Sequence, residues 1–291
     1  VPGPVPGGPR VRHATLRLMR RLFPADTPGT AESAARDEER PDTEWSLDAL
    51  AEAYAYPDWA GPSGGGRSYL RANMVSSLDG AAHHGGRSQP LSSAADMRIF
   101  GVLRALADVV VVGAETVRQE GYRPARRREA FAARREAAGQ GPAPALAVVS
   151  ASLALDFSLP LFAEPLVPTL VLTGAGAPEK RMRAARDAGV EVVVAGDSAL
   201  VDPALVPGAL AERGLTRQLT EGGPTLLGRL TAAGVLDELC LAVSPRVALG
   251  SAARVMNGPV LDTPADFRLH SLLEEDGFLF TRYRRIGASA E

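Results

Sequence analysis

One cysteine in 291 residues, Cys240, leaves no partner for an internal disulfide and no basis for a cysteine-rich metal site. It sits in the apolar run Leu239-Cys240-Leu241-Ala242-Val243, where a thiol packs rather than attacks. The four histidines, His13, His83, His84 and His270, show no metal-ligand spacing, and adjacent His83 and His84 would point to opposite sides of a strand. No metal is therefore expected. A formal net charge of −2 argues against a dedicated nucleic-acid binder. No apolar run approaches the length of a bilayer span. Two common signatures are also missing, the GxGxxG dinucleotide fingerprint and the GxxxxGK[ST] loop, and no GxSxG run stands after a strand as a nucleophile elbow, since Gly61-Pro62-Ser63-Gly64-Gly65 falls in a flexible break.

What the chain does carry is alternation. Tyr69–Val75, Asp108–Val112, Ala145–Ser150, Thr169–Thr173, Val190–Ala195 and Leu215–Leu219 read as strands, with helical patterns between most of them. Such spacing predicts an α/β fold with a mostly parallel sheet covered by helices on both faces. Glu238–Ser244 and Phe278–Tyr283 read as two further strands; no helical pattern precedes the last, which predicts one antiparallel C-terminal edge strand. Ser93 is placed to cap a helix in which Ile99, Val102, Leu103 and Leu106 form a buried stripe, with Asp96 in the capping-box position.

Residues 1–44 read as a disordered or upstream extension, since Val1–Pro9 cannot enter a helix interior or a sheet centre and 26–43 is polar. Within it, basic and apolar Arg17–Phe23 allows a short amphipathic segment, and Met19 is a candidate true start. Residues 45–68 read as a short Ser46-capped helix and linker, 69–285 as the main domain and 286–291 as a tail. The arginine-rich stretch Arg126–Gln140 reads as a solvated helix or mobile insertion.

The strongest site candidate is Thr220-Glu221-Gly222-Gly223-Pro224-Thr225-Leu226-Leu227, a strand end followed by a Gly-Gly turn and a proline-started helix. Free N–H groups at that helix start form an anion site. The other strand ends, Ser76-Ser77-Leu78-Asp79-Gly80, Gly113-Ala114-Glu115-Thr116, Ser150-Ala151-Ser152 and Thr173-Gly174, are small, polar or acidic. Ligands bind beyond the carboxyl ends of strands in such sheets, so the set points to a nucleotide.

The runs Asn73–Gly80, Leu91-Ser92-Ser93, Leu103–Val117, Glu221–Leu226 and Leu236–Leu239 together resemble the pyrimidine reductases of riboflavin biosynthesis. These form the reductase half of a bifunctional deaminase–reductase, and the chain is similar to its stand-alone, actinobacterial-type members from about Tyr69 to Tyr283. A single cysteine cannot build the zinc-dependent deaminase half. The resemblance implies a dihydrofolate-reductase-like three-layer fold, a cytoplasmic homodimer, and NADPH-dependent hydride transfer to a ribosylamino-pyrimidine phosphate, as in 5-amino-6-(5-phosphoribosylamino)uracil reductase. It implies NADPH contacts from Val75, Pro90, Gly113, Thr116, Glu120, Ser150, Gly222, Gly223, Pro224, Thr225, Leu226, Leu227, Gly228 and Arg229. Substrate contacts fall to Ser88, Arg104 and Glu221, with Arg104 suited to a phosphate. Asp79 and Glu221 are the candidate catalytic carboxylates, because hydride addition to an imine needs positive charge stabilised. The second phosphate-facing arginine is left open among Arg123, Arg126 and Arg127. Dihydrofolate or another pteridine is the alternative substrate, and an idle NADP(H)-binding regulator the alternative class.

Overall fold

Four successive valines, Val109–Val112, have no exposed surface on either side, as a strand with helices above and below requires. They belong to β3 (Val109–Gly113) of a ten-stranded sheet. The structure, a computed structural model, describes residues 19–24, 45–61 and 65–287; the rest of the expected extension and residues 288–291 of the expected tail lie outside that range.

Seven strands run parallel: β2 (Tyr69–Ser76), β3, β4 (Ala145–Val149), β5 (Leu170–Thr173), β6 (Glu191–Val194), β7 (Arg217–Thr220) and β8 (Glu238–Val243). Three more, β1 (Arg20–Phe23), β9 (Phe267–Glu275) and β10 (Phe278–Arg285), join antiparallel, giving the order β1-β9-β10-β8-β2-β7-β3-β4-β5-β6. The antiparallel part is thus three strands rather than one. β10 lies inside the sheet because β9, not anticipated from sequence, covers its outer side. Arg20–Phe23, expected in a disordered extension, pairs with β9, and Met19 is buried beside it.

Two cores flank the sheet. On one face Val110, Val112, Val148 and Leu219 meet the expected stripe Ile99, Val102, Leu103 and Leu106 of α2 (Ala94–Leu106). On the other, Leu70, Val109, Val111 and Leu172 meet Leu227 and Leu230 of α8 (Pro224–Ala232) and Leu210 of α7 (Val206–Ala211). These are the three expected layers.

Residues 45–61 pack against the sheet and α2, with Leu50, Ala51 and Tyr54 in the core. Ser46 caps α1 (Leu47–Ala53), accepting from the Ala49 N–H at 3.1 Å, and Leu50 and Ala51 are buried. The carbonyls at its end are read by two buried arginines from the sheet. Arg71 donates to the Tyr54 carbonyl at 2.7 Å, and Arg282 to those of Ala53 and Ala55. Between them lies fully buried Glu238, 2.5 Å from Arg71 Nε and 2.8 Å from Arg282 Nε. Those two approaches are close ion contacts outside hydrogen-bond geometry. Tyr69 completes the group, its hydroxyl donating to Glu238 Oε2 at 2.8 Å.

The arginine-rich stretch docks as well. Phe131 is buried, and Arg135 of α4 (Ala132–Ala137) is buried while donating to the carbonyls of Ala105 and Ala107 at 2.8 Å, at the end of α2. This positions a guanidinium at the negative pole of a helix.

Candidate active site

β7 is only four residues long, yet its pairing continues beyond Thr220. The Glu221 N–H donates to the Val111 carbonyl at 3.1 Å and the Gly113 N–H to the Gly222 carbonyl at 2.8 Å. The Gly222–Gly223 peptide is cis, and Gly222 has φ +78. A Cβ on Gly223 would stand 2.6 Å from Thr116 Oγ1 of α3 (Ala114–Glu120), so only glycine permits that approach. α8 starts immediately afterwards with no side chain capping it, leaving its first N–H groups pointing outward.

The Glu221 side chain turns away from the helix start. Its carboxylate takes two parallel bonds from Arg104 of α2, Nε to Oε1 at 2.6 Å and Nη2 to Oε2 at 2.7 Å, plus one from the Tyr122 hydroxyl. Such a fork fixes both partners in orientation. Arg104 lies 4.4 Å from the Phe100 ring centre. Burial alone would lower the Arg104 pKa, but Glu221 outweighs it and the net shift is upward. Burial, and then Glu221, hold the Tyr122 hydroxyl far above its ordinary range, so it remains a donor.

This cluster forms part of the wall of a cleft of about 950 Å³. From the expected substrate side it brings together Ser88, Arg104 and Glu221; from the expected cofactor side, Val75, Thr116, Glu120, Gly223 and Pro224. Glu120 accepts from the Ser88 N–H at 2.9 Å, tying the two sides. Arg87, Arg123 and Arg126 also line the cleft, and no described carboxylate pairs with any of them. Arg127 is paired with Glu129 at 3.0 Å, and Arg128 fills the space over Gly101. With Arg104 neutralised by Glu221, Arg87, Arg123 and Arg126 carry positive charge in the cleft wall, as does Arg128 over Gly101.

Other expected site residues lie elsewhere. Leu227 has no exposed surface and belongs to the core, while Gly228 is packed on the Asn257 backbone, where a Cβ would come within 2.5 Å of its carbonyl. Neither lines the cleft. Gly113 and Gly222 meet through backbone beneath the cleft, and buried Ser150 accepts from the Leu153 N–H at 3.1 Å. Thr225, Leu226 and Arg229 continue along α8 outside the cleft, and the Pro90 carbonyl takes Arg246 at 2.5 Å.

Asp79 is absent from the cleft wall. Its carboxylate accepts from Ser77 Oγ at 2.5 Å and from the N–H groups of Ala248 and Leu249 at 3.0 and 2.7 Å. These donors, the Ser77 hydroxyl first, hold its pKa down to about 2. Leu249 has φ +56, costly for leucine, and Asp79 fastens the backbone there.

Tyr122, Phe100 and Asp96 were missed from sequence. The last two carried a signal: Asp96, Phe100 and Arg104 recur every four residues on one face of α2.

Among the described residues no group of His, Cys, Asp or Glu could hold a metal, and no helix is long and apolar enough to cross a membrane. A 2,5-diamino-6-ribosylamino-4(3H)-pyrimidinone 5′-phosphate reductase of Archaeoglobus fulgidus is 29% identical over 62% of this chain and 81% of its own length. The enzyme of the same description from Methanothermobacter thermautotrophicus is 29% identical over 69% of this chain and 88% of its own length. Among solved structures, a pyrimidine reductase-like protein of Corynebacterium diphtheriae superposes with a TM-score of 0.70 at 29% identity, covering 81% of this chain and 98% of that one. Residues 68–275 match the RibD C-terminal domain, which is most of the described fold, and the chain belongs to that family.

Proposed function

We propose that this protein is an NADPH-dependent reductase that transfers hydride to a ribosylamino-pyrimidine 5′-phosphate. The observation that carries the reading is the adjacency of Glu221 to the Gly222-Gly223 turn: one strand end supplies both a fixed carboxylate in the cleft and an open helix start. The outward N–H groups of α8, beside a turn too tight for any side chain on Gly223, fit a dinucleotide phosphate. NADPH over NADH rests on the family resemblance and on the exposed Ser152 hydroxyl beyond β4.

When bound, the reduced nicotinamide supplies the hydride. The residues do the rest. The ring-opened ribosylamino group presents a protonated imine, whose positive charge Glu221 offsets from a position set by Arg104 and Tyr122. Arg123 and Arg126, unpaired in the cleft wall, take the 5′-phosphate. Following NADPH absorbance with this substrate, then with dihydrofolate, tests the reading. Reduction of dihydrofolate alone would overturn the substrate, and NADPH binding without turnover of either would leave a binding protein.

Two further results are expected. Arg123→Ala with Arg126→Ala raises KM for the phosphorylated substrate tenfold or more, the scale of about 1.5–3 kcal/mol for a charged hydrogen bond. An equal rise for the dephosphorylated compound would sink the phosphate role. Asp79→Asn replaces one acceptor by a donor facing an N–H, so hydrogen exchange at Ala248 and Leu249 quickens while kcat changes only a few-fold. A large loss of kcat with unchanged exchange would return Asp79 to the chemistry. Because its pKa is lowered, the fastening holds above the ordinary carboxylate range and is released only as pH falls towards about 2.

A further inference from the structure

Asp96 opens α2 three residues after the Ser93 cap, where a carboxylate ordinarily reaches back to the cap N–H. It does not do so here. The Asp96 N–H donates to Ser93 Oγ at 3.1 Å, but the Asp96 side chain accepts from Ser92 Oγ at 2.5 Å through Oδ2. Oδ1 takes no hydrogen bond from any described residue, no described cation pairs with the group, and it lines the cleft while only 7% exposed. Burial pushes its carboxyl above the ordinary range. Oδ1 opens onto the cleft, where N–H donors of a bound ligand can reach it.

The wall around it says where on the ligand those donors lie. Asp96 and Arg104 are two helical turns apart, about 12 Å at 1.5 Å per residue. Met97 and Phe100 form an apolar stretch of cleft wall between them. A flat heterocycle suits that stretch, with its polar edge towards Asp96.

We propose that Asp96 determines specificity by binding the N–C–N edge of a 2-aminopyrimidinone, the ring N–H and the exocyclic amine together. This rests on the assignment of the cleft to a ribosylamino-pyrimidine. Two adjacent donors match two carboxylate oxygens. A 2-oxo ring offers one donor and one acceptor on the same edge, and its carbonyl oxygen faces the carboxylate unpaired.

The experiment compares the 2-amino and 2-oxo ribosylamino-pyrimidine phosphates on the wild type and on Asp96→Asn. The wild type is expected to favour the 2-amino ring at least tenfold in kcat/KM. Asparagine presents one acceptor and one donor, so the preference disappears or inverts, while NADPH affinity followed by fluorescence stays within twofold. An unchanged ratio between the rings in Asp96→Asn overturns the proposal. Calorimetric binding of the two reduced products reads the same ratio without turnover, so failure of the reductase assignment and failure of Asp96 are separable: equal affinities in the wild type reject the latter. Should Asp96→Asn not fold, Asp96→Ser carries the same comparison, and there too a retained preference overturns the proposal.

Discussion

Glu238→Ala is expected to lower folding stability by about 3–5 kcal/mol, the usual loss when a buried charge is left without its partner. Arg71 and Glu238 are fully buried and Arg282 nearly so, and Arg284 Nε lies 3.3 Å from the second carboxylate oxygen. Removing the carboxylate leaves two guanidinium groups facing each other in the interior. Those same groups hold the carbonyls of Ala53, Tyr54 and Ala55, so α1 should loosen with them. Urea midpoints at constant m-value measure the effect. A loss below about 1 kcal/mol would show that the cluster is incidental. Burial raises the pKa of Glu238, but Arg71 and Arg282 outweigh it and hold the carboxyl well below its ordinary range. With a depressed pKa the contribution is present throughout neutral pH and disappears only in strong acid.

Glu221→Gln is expected to reduce kcat by about a hundredfold to a thousandfold, the scale seen when one preorganised electrostatic group is lost at a reacting centre. Glutamine keeps the shape but surrenders the charge and one of two acceptors, so Arg104 is freed and the cleft gains a positive charge next to a cationic imine. NADPH affinity should hold, because the Gly222-Gly223 turn is fixed by backbone bonds to β3. Stopped-flow hydride transfer separates this from slow product release. A variant with normal single-turnover rates would remove Glu221 from the chemistry.

The parallel half of the fold was legible because strands buried on both faces announce themselves locally, as Val109–Val112 does. β9 and β1 were not. β1 pairs with a strand at the other end of the chain, and β9, although it forms a tight hairpin with β10 through Asp276-Gly277, is half-exposed and resembles ordinary surface. The Glu221-Gly222-Gly223-Pro224 turn and Arg104 could be singled out from sequence, but their bidentate bond could not, since it joins the last turn of α2 to the end of β7. Arg135 misled for a related reason. An arginine-rich stretch reads as solvated, and only the fold shows that this guanidinium closes the end of α2. Asp79 carried the right residue type at a strand end, yet its partners Ala248 and Leu249 come from the far side of the chain.

The place of β2 in the strand order sets how the protein must be made. β2 begins at Tyr69, but its two neighbours begin at Arg217 and Glu238. While the chain is being synthesised, both edges of this central strand stay open until the last third of the domain emerges. Closing loops of that length slows folding and keeps unpaired edges exposed to other chains. The cleft shares this schedule, because Val75 and Arg104 wait for Glu221. A fragment ending before Arg217 would therefore have neither a closed sheet nor Glu221 in its cleft, and early termination would yield aggregation rather than a weak enzyme.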